Sequence, residues 1–259
     1  NNYLYIIVIG YERNFMKVNK TVVITGASRG IGRAIALKFA SQNYNICINC
    51  KTNKMLLEKL RSEILDMDAD CISFVGDISD YNAAQEMYEL IYRHFNSVDV
   101  LVNNAGISHI GLLQDMSFDE WNYVISTNLN SVFNCSKLAI EAMIKNKFGK
   151  IINISSVWGN VGASCEVAYS SSKGAVNSFT KALAKELAPS NIQVNAISCG
   201  MIDTDMNSSF DESEKEDIIN SIPAMRIGRA DEVADLVYYL AGAPSYINGQ
   251  IIGVDGAWI

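Results

Sequence analysis

Proline is scarce, at 3 in 259 residues. That is too few for a proline-rich linker, and regular elements can run without the breaks proline imposes. Histidine is scarcer, at 2. His94 and His109 stand far in sequence from the one close cysteine pair, which removes the usual zinc ligand sets. Basic charge is in deficit: 21 Lys and Arg against 28 Asp and Glu leave a net charge of -7. No positive field exists to attract phosphate backbones, so nucleic acid is excluded as a partner. No apolar run reaches the roughly 18–20 residues that cross a bilayer, which leaves no membrane partner by that route. What the chain does have is apolar mass, with 49% hydrophobic against 19% charged residues. That balance excludes disorder and supplies one large domain with an ample core.

The chain has six cysteines: Cys47, Cys50, Cys71, Cys135, Cys165 and Cys199. Cys47 and Cys50 have C-x-x-C spacing but lie in ICINC, which reads as a strand and not as a redox turn. The thiols read as small hydrophobes kept reduced in a cytoplasmic protein, with no metal. Ahead of Met16 an apolar stretch runs from Tyr3 to Ile9. It is too short to span a membrane and lacks the basic start and small-residue cleavage site of a signal peptide. Residues 1–15 are taken as an extension of unknown role, from a misplaced start or as an additional edge strand. Residues 16–259 form the domain.

From Lys20 onward, short apolar runs alternate with segments of helical period. Strands are expected at 21–25, 45–49, 71–75, 99–103, 150–154, 192–197 and 250–254. Most lack period-two alternation, as strands covered on both faces do. Between them lie helical patterns such as IGRAIALKFASQ, AAQEMYELIYRHF, a long run over 119–144, and DEVADLVYYLAG. This alternation predicts a single doubly wound, Rossmann-type α/β domain. Its seven-stranded, mostly parallel sheet carries helices on both faces, because parallel strands need crossovers.

The first strand runs into Thr25-Gly26-Ala27-Ser28-Arg29-Gly30-Ile31-Gly32, and a helix starts at once. Gly26 permits the tight turn, Gly30 lets backbone approach a phosphate, and Gly32 lets the helix pack on the sheet. The bare N–H groups of the helix start favour a pyrophosphate. Alone, such a turn reads equally as a turn and cap; after a buried strand in a βαβ unit it reads as dinucleotide binding. The spacing is Gly-x-x-x-Gly-x-Gly. In order after it come Asp77, Asn103-Asn104-Ala105-Gly106, Asn128 in TNLNS, Ser156 in NISSVWG, and Tyr169-Ser170-Ser171-Ser172-Lys173. With this set the chain resembles the short-chain dehydrogenase/reductase family over about residues 16–259. Within the family it is most similar to the 3-oxoacyl-[acyl-carrier-protein] reductases, through TGASRGIGRAIA, LVNNAGI and IDTDM.

The resemblance implies a nicotinamide dinucleotide held at Gly26, Ser28, Arg29, Gly30, Ile31 and Gly32. Asp77 and Ile78 would meet the adenine, Asn104, Ala105 and Gly106 would line the cleft, and Ile202 and Thr204 would contact the nicotinamide amide. Asp77 reads equally as a helix cap, in GDISD. NAD-selecting sites place an acid about 20 residues after the glycines. Cys50 stands there instead, so no acid would repel a 2′-phosphate, while Arg29 and Lys51 are placed to neutralise one. NADP(H) is therefore the expected cofactor, although Lys51 taken alone is equally a solvated loop charge.

Tyr169 and Lys173 are four apart in a helical pattern and share a face. A phenol with its usual pKa of about 10 is a poor acid–base group, and a cation one turn away favours its ionised form. Carbonyl reduction needs a proton at oxygen as hydride reaches carbon, and a tuned phenol supplies it. Ser156, in a strand-end loop, is placed to donate to the same oxygen. By resemblance Tyr169 is the acid–base residue, Ser156 polarises the carbonyl, Lys173 tunes Tyr169 and holds the nicotinamide ribose, and Asn128 supports a water-linked proton relay. Ser155 is the neighbour most easily confused with Ser156, which is chosen because it stands directly before VWG. A cofactor-binding regulator without turnover would not need all four residues.

The chain departs from the family pattern in places. Cys199-Gly200 stands where the family has Pro-Gly, which is expected to relax the loop beside the nicotinamide. Ala257 follows Gly256 where a second glycine is commoner. Residues 201–225 match the position of a family lid, and read alternatively as a solvated amphipathic helix. Acyl carrier proteins are acidic, so a reductase for them benefits from a basic cleft rim. Lys147 keeps one such family position and Ser190 does not keep the other. By resemblance the substrate is a carrier-linked 3-oxoacyl thioester of fatty-acid elongation. Another small ketone, alcohol or coenzyme A thioester is the alternative. A homotetramer is expected through the helices around 117–145 and 168–188 and the C-terminal strand.

Overall fold

The computed structural model describes residues 19–207 and 211–259. The 1–15 extension and the start of the following segment lie outside the described residues. Seven strands form one sheet: β1 (Thr21–Ile24), β2 (Asn45–Cys50), β3 (Cys71–Val75), β4 (Val100–Asn103), β5 (Gly149–Ser156), β6 (Ile192–Cys199) and β7 (Ile251–Val254). Their order is β3-β2-β1-β4-β5-β6-β7, and every neighbouring pair is parallel. Between strands run α1 (Gly30–Ala40), α2 (Lys54–Leu65), α3 (Tyr81–Phe95), α4 (Phe118–Ile125), α5 (Ser131–Asn146), α6 (Trp158–Val161), α7 (Val167–Leu187), α8 (Glu212–Ser221) and α9 (Ala230–Gly242).

Alternate strand residues feed two cores. Val22, Ile24, Ile46, Ile48, Val100 and Val102 pack with Ile35 and Phe39 of α1, Leu57 and Leu60 of α2, and Val233 and Val237 of α9. Val23, Cys47, Leu101, Ile151 and Val194 point the other way, to Met87 and Ile91 of α3, Ala139 and Met143 of α5, and Leu183 and Leu187 of α7. Both faces are dry, which is why the strands read as continuous apolar runs. Cys47 and Cys50 both lie in β2, three residues apart and in different cores, so the C-x-x-C spacing is a strand feature.

The order reverses between β1 and β4, and a doubly wound sheet opens a crevice at the carboxyl ends of its strands there. Two strands end later than the apolar pattern indicates. β5 and β6 pair as far as Ser155 with Ser198 and Ser156 with Cys199, so small polar residues extend the ladder toward the crevice. Cys199 also pairs with Val254, so the position without proline is held in the sheet and is not a relaxed loop. The long helical run over 119–144 is divided. A π-helical turn, Ser126–Asn130, joins α4 to α5 and carries Asn128 into the interior.

Candidate active site

The cofactor turn follows from its glycines. Gly26 and Gly30 have φ of +63° and +55°, where a side chain would be strained. A Cβ on Gly32 would come within 2.5 Å of the Gly26 carbonyl oxygen, so α1 can approach the turn this closely only with glycine there. Arg29 opens α1 with extended backbone and no side chain caps the helix, which leaves its first N–H groups to an external acceptor. Ser28 is half-buried, Arg29 exposed, and Ile31 lines the cleft.

The turn is clamped to the loop after β4. Asn104 Nδ2 donates to the carbonyls of Thr25 and Gly26 at 2.9 and 3.0 Å. The backbone N–H groups of Asn104 and Ala105 both donate to Thr25 Oγ1, at 2.9 and 3.0 Å. Thr25 is a positioning residue that the motif reading missed; its place directly before the glycine turn was the available signal. Gly106 then passes against Lys173 Nζ and Asn128 Oδ1, which an added Cβ would meet at 3.3 and 3.4 Å.

A cleft of about 600 Å³ opens over the ends of β4, β5 and β6. It gathers Ile31, Asn104, Gly106, Ser156, Tyr169, Lys173, Ile202 and Thr204 from the expected set. Ser156 closes β5, and its Oγ accepts the Trp158 N–H at 3.2 Å, while Ser155 Oγ turns to the Lys173 carbonyl at 3.3 Å. The Tyr169 ring opens into the cleft but is otherwise surrounded by protein. Burial raises its pKa and the interaction with Ser156 lowers it, with burial the larger. Lys173 is buried one turn on, its Nζ donating to the Ile154 carbonyl at 2.8 Å and lying 5.7 Å from the Tyr169 ring centre. Burial lowers its pKa to about 8. Asn128 stands behind the cleft. Its side chain accepts from Ile107 N at 2.8 Å and donates to Ile107 O at 2.9 Å and Ser172 Oγ at 3.0 Å.

Other expected residues lie at the margins. Ile78 is buried in the core of the α3 and α5 face, with its carbonyl accepting from Asn134. Asp77 holds Ser79 through its N–H and hydroxyl, at 3.0 and 2.6 Å, while Asp80 is the residue that caps α3. Lys51 pairs with Asp77 at 2.8 Å and lies over the Tyr123 ring. Burial pushes the Asp77 carboxyl up, but Lys51 and Ser79 outweigh it and hold it below the usual value. Arg29 pairs with Asp205 at 3.7 Å. Both cations expected near a 2′-phosphate thus already have acidic partners.

Met206, Asn207 and Ile218 of the expected lid line the cleft, while α8 turns its acidic side chains to solvent. Burial raises the Cys199 thiol to about 12, which suits a passive side chain. Lys147 ends α5 just before β5 begins, whereas Ser156 closes β5 at the cleft. A strand of eight residues spans about 25 Å, so Lys147 is at the opposite end of the sheet and not at this cleft's rim. Trp158, Trp258, Ser108 and Glu166 also line the cleft; Trp158 stands in the VWG used to place Ser156, but no site role was expected of any of the four. Among the described residues no group of three His, Cys, Asp or Glu could hold a metal ion, and no helix is long and apolar enough to cross a membrane.

Comparison with known proteins gives the family and agrees with the fold. A family model described as short chain dehydrogenase matches residues 20–215. The 3-oxoacyl-[acyl-carrier-protein] reductase FabG of Staphylococcus aureus is 40% identical, covering 93% of this chain and 98% of its own length. The uncharacterized oxidoreductase YmfI of Bacillus subtilis is also 40% identical, over 93% of this chain and 99% of its length. Among solved structures, YwfH, an NADPH dependent reductase involved in bacilysin biosynthesis, superposes with a TM-score of 0.88 at 30% identity. That likeness covers 93% of this chain and 98% of the other.

Proposed function

This chain belongs to the short chain dehydrogenase family, and from that premise we propose that it is an NADPH-dependent reductase of 3-oxoacyl thioesters carried on acyl carrier protein. The family makes it an oxidoreductase of C=O and CH–OH groups that uses a nicotinamide cofactor. The observation that carries the reading is the convergence of Ser156, Tyr169 and Lys173 in one cleft beside the glycine turn. The uncapped start of α1 and the space kept by Gly26, Gly30 and Gly32 suit a dinucleotide. Gly26, Ser28, Arg29, Gly30, Ile31 and Gly32 would hold its phosphates, Lys51 and Arg29 a 2′-phosphate, Asp77 and Ile78 the adenine, and Asn104, Ala105, Gly106, Ile202 and Thr204 the path to the nicotinamide. When bound, NADPH supplies the hydride that reduces the carbonyl carbon.

The chain's own residues handle the oxygen. Ser156 Oγ orients the carbonyl, and the Tyr169 hydroxyl gives its proton to the oxygen as charge develops there. Lys173, when protonated, favours the phenolate left behind. Asn128 holds the Ile107 backbone and the Ser172 hydroxyl, and its Oδ1 lies with Lys173 Nζ against Gly106, which suits it to a proton relay from solvent. We take residues 16–259 as the catalytic unit, cytoplasmic and homotetrameric, and assign residues 1–15 no role.

NADPH oxidation followed by absorbance, with acetoacetyl carrier protein and acetoacetyl coenzyme A and with NADH in parallel, tests the proposal. Faster turnover of the carrier-linked substrate with NADPH is expected; equal rates with NADH would remove the cofactor assignment. A second reading is reduction of a different small ketone or oxidation of a small alcohol. It is favoured by the net charge of -7, which repels an acidic carrier, and by the position of Lys147 away from the cleft.

A further inference from the structure

We propose that Glu166 is a specificity-determining residue, whose carboxylate makes the cleft select uncharged carbonyl substrates, esters and thioesters, against the anions of free 3-oxo acids. The proposal rests on the carbonyl-reductase reading above and narrows its substrate class. Glu166 lines the cleft at the entry to α7, three residues before Tyr169. Its Oε2 accepts from Ser108 Oγ at 2.6 Å. The two loops that carry this pair are tied again by Gly111 N–H donating to the Cys165 carbonyl at 2.8 Å, so the carboxylate is held in place. Among the described residues Oε1 has no hydrogen bond and no cation pairs with Glu166. Its charge reaches the reacting hydroxyl, since it is one of the influences that raise the Tyr169 pKa.

Apart from Lys173, the other side chains that line this cleft among the described residues are uncharged. Trp158 and Trp258 meet at a tilt of 59° with ring centres 5.0 Å apart and present an apolar wall. The one other charged side chain among the described cleft residues is Lys173, which is committed to the Ile154 carbonyl. In a free 3-oxo acid the carboxylate lies two bonds from the carbonyl carbon. Placing that carbonyl at Tyr169 therefore brings a second negative charge into the same low-dielectric space as Glu166. An ester or thioester puts a neutral group there. Discrimination by a like charge built against the wrong ligand is a general route to specificity.

The test compares ethyl acetoacetate with acetoacetate in the wild type and in Glu166→Gln, which keeps an acceptor for Ser108. The ratio of kcat/KM for acetoacetate to that for the ester should rise about tenfold in the variant, the size expected for two like charges about 12 Å apart at an effective dielectric constant near 20. An unchanged ratio would overturn the proposal. Quenching of tryptophan fluorescence by the same two ligands gives a second readout that needs no turnover. If the wild type reduces neither these two compounds nor the acetoacetyl thioesters while still binding NADPH, the thioester-reductase reading fails. In that case the quenching ratio alone decides on Glu166, and a shift toward the anion in Glu166→Gln would still support it.

Discussion

At Tyr169 opposed influences act on one hydroxyl: burial, with Cys199 and Glu166 nearby, holds the proton on, and the Ser156 hydroxyl favours its release. Removing the hydroxyl by Tyr169→Phe should lower kcat at least about a thousandfold, as loss of a positioned acid–base group does. NADPH binding, measured by fluorescence titration, should stay within about threefold. Lys173 sets a pH limit. Because burial brings its pKa down to about 8, its charge is present below that pH and lost above it. The kcat/KM profile should therefore fall as pH rises through about 8, and Lys173→Arg should carry that limb upward, since guanidinium stays charged. The Tyr-x-x-x-Lys pair was legible because helical spacing alone puts both residues on one face. The destination of the ammonium was not, since the Ile154 carbonyl belongs to a strand that only the fold brings near.

Elements show the same division. The strands were legible because cover on both faces leaves continuous apolar runs. The ends of β5 and β6 were not, because Ser155, Ser156 and Ser198 interrupt the apolar runs, and these positions and Cys199 are ordered by pairing with each other. The π-helical turn was not legible either: Ser126, Thr127, Asn128 and Asn130 are weak helix formers, but such residues do not distinguish a π turn from a helix end; single π turns recur at functional sites because they redirect one side chain. Asn128→Ala should cost about 2–4 kcal/mol by urea denaturation, as it leaves the Ile107 N–H and carbonyl without their partner and takes from the Ser172 hydroxyl one of its two hydrogen bonds. The C-terminal departure also acquires a physical meaning. Ala257 sits at φ +64°, a conformation that strains any residue with a Cβ. Ala257→Gly should stabilise the protein by about 0.5–1 kcal/mol, read as a rise of about 1–3 °C in Tm.

At the scale of the molecule, the parallel sheet and its point of reversal place the glycine turn, the Asn104 loop and the Tyr169 helix around one crevice. The family motifs anticipated that assembly in order along the chain. Charge distribution was harder to read. Lys51 and Asp77 are 26 positions apart, and only the pairing of β2 with β3 brings the ends of these strands together to form their ion pair. Lys147 resembles a rim residue in sequence, yet the direction of β5 carries it to the far edge. Sedimentation equilibrium at micromolar concentration is expected to give a tetramer; a monomer would remove the proposed assembly.

The paired cations of the cofactor turn have a consequence for how salt should act. Arg29 with Asp205 and Lys51 with Asp77 carry resident counterions, so an arriving phosphate exchanges partners with the protein and displaces few ions from solution. Dissolved salt then has little to screen on the free side of the equilibrium, and it weakens the resident pairs as well as the new ones. NADPH affinity should accordingly fall only gently between low and physiological ionic strength. In Asp77→Asn, where Lys51 loses its acid, the same titration should start tighter and fall more steeply.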